Sequence, residues 1–89
     1  MEITWEEVVR LVEHGESQSV EFEKSITGPD DITRELVAFS NSDGGRVIFG
    51  IDDKNRHFLG VNMDGNLKDW ILDVAKNRCK PSIVPQIDI

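Results

Sequence analysis

Apolar positions along this chain change period several times, and each change marks an element. Trp5, Val8, Val9 and Val12 recur at i, i+3, i+4 and i+7, so the spacing predicts a helix over 4–14. Thr4 and Glu7 stand at capping-box positions, Ile3 and Val8 at staple positions, and Gly15 is expected as a left-handed cap. Alternation then takes over in 19–24: Val20 and Phe22 on one face, Glu21 and Glu23 on the other, a short strand. After the Gly28-Pro29 breaker, Asp30 or Asp31 is expected to cap a second helix to about Ser42. Its buried stripe is Ile32, Leu36 and Phe39, with Ala38 as a close-packing position.

The stretch Leu36 to Asp53 organises the rest. Gly44-Gly45 turns the chain into a strand over 46–51, with Val47, Phe49 and Ile51 pointing one way and Ile48 and Gly50 the other. Apolar residues on both faces predict a strand covered on both sides. Residues 57–61 return as its hairpin partner, and Asp64-Gly65-Asn66 turns and caps a third helix reaching about Arg78. That helix carries Leu67, Trp70, Ile71 and Val74 as its apolar stripe, and Pro81 closes it. A last strand is expected over 82–89, at an edge because of Pro85. The sum is an α+β domain: three helices with a small mixed or antiparallel sheet of about four strands.

Composition narrows the class. Eighty-nine residues are expected to form a single domain, near the lower size limit for a self-sufficient core. Ending in mid-alternation at Ile87-Asp88-Ile89 suggests the N-terminal fragment of a longer protein. No apolar run approaches the roughly 20 residues of a membrane span. The single cysteine, Cys79, excludes an internal disulfide and a cysteine-built zinc site. The expected compartment is the cytoplasm. Net charge is −7, and all of it lies in residues 1–31, which hold nine acids against two bases; residues 32–89 balance at eight each. Bulk electrostatics therefore does not favour nucleic acid, although a local basic patch remains open.

Several residues invite chemistry. Gly44-Gly45 is no phosphate loop, because a helix precedes it and a strand follows. Asn41 and Asp43 are read as capping and turning the chain. His14 and His57 lack ligand spacing. Glu16 and Glu21 flank the start of the first strand, while Asp52 and Asp53 follow the second. If those strands are neighbours, the carboxylates converge, and like charges at close range call for a hard cation or a shared proton. The plainer reading makes them solvent-facing strand and turn residues. Arg46, Arg56, Lys76, Arg78 and Lys80 are the candidate basic face; lysines and arginines in a helix's last turn also answer its dipole without any partner.

Four strings carry a resemblance: Glu16-Ser17-Gln18-Ser19-Val20-Glu21-Phe22, Ala38-Phe39-Ser40-Asn41-Ser42-Asp43-Gly44-Gly45, Ile48-Phe49-Gly50-Ile51-Asp52-Asp53 and Leu59-Gly60-Val61. In this order they resemble the Schlafen AlbA-type domain, over about residues 12–89. The resemblance implies an α+β DNA-binding module of bacterial and archaeal transcriptional regulators, often joined to helix-turn-helix or ATPase-like regions. One branch of the family is similar to a metal-dependent endoribonuclease of tRNA and rRNA. By that resemblance its acidic triad falls on Glu16, Glu21 and Asp53, with Asp52 adjacent, and its cofactor would be Mg2+ or Mn2+. The family's lysine after Glu-Phe is replaced here by Glu23, with Lys24 one place later. Nuclease members use two lobes in one chain as a basic clamp, so a clamp built from this single acidic lobe would require a homodimer.

Overall fold

A computed structural model describes residues 3–25, 28–61, 67–81 and 83–88. The chain is α+β, in the order α1 (Trp5–His14), β1 (Val20–Glu23), α2 (Pro29–Ser40), β2 (Arg46–Phe49) and α3 (Leu67–Asn77). It divides into two compact units. One carries α1, β1, β2 and the chain through Val61; the other carries α2 and α3.

In the first unit, β1 and β2 pair in parallel, with Val20 opposite Arg46 and Phe22 opposite Ile48. The sheet therefore has two parallel strands among the described residues, not the expected four in mixed or antiparallel order. Parallel neighbours need a long crossover, and the chain from Lys24 to Gly45, which includes α2, supplies it. Two expected strands are missing for different reasons. Residues 57–61 touch β2's continuation only through one antiparallel bridge, Ile51 to Phe58, because the hydrogen bonds of Leu59 and Gly60 converge on the single carbonyl of Gly50 (2.6 and 3.0 Å). Residues 83–88 keep an alternating exposure but form no ladder; Pro85 lacks a donor and Val84 is 91% exposed.

The core of this unit is Val12, Val20, Phe22 and Ile51, with Val8, Leu11 and Ile48 packed against it. Ile48 and Ile51 share that core although strict alternation puts them on opposite faces. A β-bulge is the cause: the N–H groups of Gly50 and Ile51 both donate to the Glu23 carbonyl (2.7 and 3.2 Å). Gly50 sits at φ +90°, and a Cβ there would lie 2.8 Å from the Gly60 backbone, so both conformation and space demand glycine.

Helix α1 is capped as its sequence predicts. The Glu7 N–H donates to Thr4 Oγ1 at 3.2 Å, while the Glu7 carboxylate accepts from the Thr4 hydroxyl at 3.4 Å rather than from its N–H. Gly15 ends the helix at φ +89° but ψ 178°, which is extended rather than left-handed helical, a region open essentially only to glycine. Trp5 leaves the expected buried stripe: it is 66% exposed and stacks, tilted, on Phe58 at 5.2 Å.

In the second unit α2 packs on α3. α2 starts two or three residues earlier than expected, with Gly28 at the N-cap and Pro29 in the first turn, where its missing N–H costs nothing. Asp30 and Asp31 lie in that turn and answer the helix dipole instead of capping. Ile32 is buried, whereas Ala38 is exposed and not a packing contact. From α3 the core receives Ile71, Val74 and Ala75, followed by the buried thiol of Cys79. The expected Asp64-Gly65-Asn66 cap lies outside the described residues. No helix among those described is long and apolar enough to cross a membrane.

Candidate functional site

The acidic site is assembled by two tight turns. After Gly15 the chain reverses through residues 17–20, where Ser17 and Val20 exchange backbone hydrogen bonds (3.0 and 3.4 Å) and Ser17 Oγ accepts the Ser19 N–H at 3.2 Å. The reversal lays Glu16 beside β1, and Glu16 Oε2 accepts the Phe22 N–H at 2.9 Å. Val20 and Phe22 thus satisfy their outward N–H groups locally, which blunts that edge of the strand. Glu16 has a structural duty before any chemical one.

The second turn follows the bulge. The Asp52 N–H donates to the His57 carbonyl at 2.9 Å, and the Asp52 carbonyl accepts from Arg56 at 2.6 Å. Asp52 Oδ1 accepts the Lys54 N–H at 3.0 Å, and Oδ2 lies 3.8 Å from Lys24 Nζ. Asp52 is consumed in holding this turn. The displaced lysine of the Glu-Phe motif finds its partner here, on the carboxylate that does not face Glu16.

Asp53 is the one that does. The Glu16 carboxyl is raised above the usual carboxylate range, chiefly because its end is drawn against the strand and partly desolvated. A hydrogen bond with the Asp53 side chain and the charges of Glu21 and Asp53 push the same way, while the Phe22 N–H opposes them. A hydrogen bond between two carboxyls needs one proton between them. Parallel pairing sets β1's entrance beside the entrance of β2 and not its exit. Glu16 reaches Asp53 because the reversal through residues 17–20 folds it back along β1, and Glu21 is near enough to add its charge. Glu21 is half-buried on β1, opposite Val47. The carboxylate oxygens of Glu16, Glu21 and Asp53 do not gather closely enough here to share one cation, so a hard divalent ion such as Mg2+ or Mn2+ would have to draw them together.

The five basic candidates are not equivalent. Arg46, at the start of β2, is exposed and lines a groove with α1. Arg56, at φ +58°, donates from Nη1 to the Glu13 carbonyl at 2.8 Å and lies against Gly15, where a Cβ would come within 3.0 Å of Nη2. It closes the C-terminal end of α1 and holds the residue before Glu16. Arg78 pairs with Asp30 at 3.3 Å. Lys76 lies in the last turn of α3 and has a partner; Lys80 is exposed just beyond. Arg46 and Arg56 belong to the first unit, the other three to the second. Of the groove's residues, Arg10 is not among the candidates the sequence offers, because a helix stripe is read for its apolar face, and His14 is weighed only as a metal ligand; their i, i+4 spacing was the available signal.

Parallel strands meeting at a carboxylate cluster, in a small α+β chain, define a class of domain. The family described as "Schlafen, AlbA_2" matches residues 16–89, and the chain belongs to it. The match begins at Glu16 itself and leaves α1 outside. No curated protein and no solved structure matches the chain.

Proposed function

We propose that this domain is a nucleic-acid-binding module, the DNA-binding part of a cytoplasmic transcriptional regulator. The observation that carries the reading is family membership over residues 16–89, with all the motif strings in order. Exposed Arg46 and Lys80 supply phosphate contacts; Arg56 and Arg78, already engaged, contribute only where a phosphate replaces their present partners. Association driven by phosphate contacts weakens steeply as salt rises. Titration of labelled duplex DNA and of tRNA at low and high salt tests this. Absence of binding to either at low salt sinks it.

A second reading is supported by a separate observation, the contact of Glu16 with Asp53 and the nearby charge of Glu21. In it the domain is a metal-dependent endoribonuclease acting on tRNA or rRNA. Bound there, Mg2+ or Mn2+ would orient water and stabilise charge developing on the phosphate. The chain's own residues position that chemistry: the Phe22 N–H holds Glu16, β1 holds Glu21, and the Lys24–Asp52 pair holds the turn that presents Asp53. This reading expects tRNA cleavage with manganese that is lost in Glu21→Gln. Cleavage that persists in that variant rules it out. A homodimer would supply the two-lobed clamp, and light scattering reads that directly.

A further inference from the structure

A groove in the first unit is lined by Arg10, Leu11 and His14 of α1 and by Arg46, the first residue of β2. Glu6 and Glu7 line it one turn back along the helix. Arg10 and His14 share a helix face at i, i+4, and Leu11 beside them is half-buried, packed against the core. Arg10, His14 and Arg46 are all exposed. Neither guanidinium has an ion-pair partner among the described residues. Arg46 is held in place from its backbone, whose N–H donates to the Ser19 carbonyl at 2.7 Å. In a chain of net charge −7, three basic side chains meet at one concavity.

We infer that this groove is a phosphate subsite, in which Arg10 and Arg46 hold a phosphodiester of a bound strand and His14 donates a further hydrogen bond. The inference rests on the nucleic-acid reading and gives it a location. It also goes beyond the family, since Arg10 and His14 precede the matched segment. Arginine suits the role because its planar fork meets phosphate oxygens two at a time. Glu6 and Glu7 repel a run of phosphates, so the groove takes one or two and the strand leaves past the Arg46 end.

The test is fluorescence anisotropy of labelled rU15 and dT15 against the whole chain over a salt series. Arg10→Gln combined with Arg46→Gln should weaken binding of both oligonucleotides by about fivefold or more at low salt. It should also flatten the salt slope by roughly 0.7 to 1.4, the value of one or two single-strand phosphate contacts. The paired lysine variant, Arg10→Lys with Arg46→Lys, should keep most of the affinity, and Glu6→Gln should tighten binding. Circular dichroism of each variant checks the fold. Should the paired glutamine variant bind like the parent while Lys80→Gln loses affinity and slope, the groove is not the subsite and the nucleic-acid reading survives. Should the parent chain bind neither oligonucleotide, duplex DNA nor tRNA, both fall together.

Discussion

The two units of this chain treat their polar groups in opposite ways. Around α2 and α3, charges are answered locally: Asp31 by Arg34 on the same helix, Asp30 by Arg78, and the Asp73 carboxylate by the Asn77 amide. The buried residues there are Ile32, Ile71, Val74, Ala75 and Cys79, with no buried polar side chain among them. Around α1, β1 and β2, the Glu16 carboxyl is raised by partial burial and by the neighbouring Asp53 and Glu21, two guanidiniums stand unpaired among the described residues, and Gly50 holds a conformation other residues avoid. Local rules are kept in one unit and broken in the other. Such breaches mark where a chain has been shaped for something besides stability.

That contrast can be broken at several points. The largest effect is expected at Gly50→Ala, which combines a disallowed φ with a Cβ 2.8 Å from the Gly60 backbone. A loss of about 3 kcal/mol in urea unfolding is expected; a loss below about 1 kcal/mol would mean that the bulge relaxes freely. In the other unit, Cys79→Ser places a hydroxyl where the thiol is 1% exposed, costing about 2 kcal/mol by the same measurement. If that variant unfolds as readily as the parent, the second unit is less tightly sealed than the contrast requires. Arg56→Gln removes a charge-assisted bond to the end of α1 and should cost about 1 kcal/mol. High salt should lower that figure modestly, because the charge–dipole part is screened while the hydrogen bond itself is not.

Glu16→Gln should have the smallest effect on stability and the most informative one. Glu16 is raised in the folded state, so it binds protons more tightly there than in the unfolded chain. Its contribution is therefore complete below the unfolded carboxylate value and is lost as pH rises through the higher folded value. Glu16→Gln keeps an acceptor for the Phe22 N–H and removes the repulsion. Above that window it should be slightly more stable than the parent, by less than about 1 kcal/mol after solvent screening. Thermal melts at pH 4 and pH 7 read the change of sign. Manganese should raise the melting temperature of the parent and not of Glu16→Gln; equal shifts in both would remove the metal from Glu16.

Much of the first unit was legible along the chain because its signals are local. Thr4 and Glu7 cap α1, Val20 and Phe22 alternate into the core, and Asp52-Asp53 terminates the second strand's run. Alternation failed beyond Phe49, where the bulge changes the phase and Ile51 turns inward to join Ile48. Nothing in a period-2 pattern distinguishes Gly50 as a bulge from Gly50 as a small strand residue. The expected four-stranded sheet failed for a related reason: apolar alternation at 57–61 and 83–88 reports extended backbone, while a ladder also needs a partner edge with free donors.

Which aspartate would face Glu16 was likewise undecided by order alone. Asp52 and Asp53 are neighbours of identical chemistry, and only the 3.8 Å approach of Lys24 and the turn's own hydrogen bonds engage the first and leave the second facing the cluster. The basic residues tell the same story, for composition counts Arg46 and Arg56 alike, yet one lies open in a groove and the other closes a helix. By itself the sequence determined the helices, the two strands, the family and the residue types at the site, because these depend on near neighbours and on motif order. Tertiary structure alone decided parallel pairing, the phase reversal at Gly50 and which charges meet, because those depend on hydrogen bonds and desolvation between segments far apart along the chain.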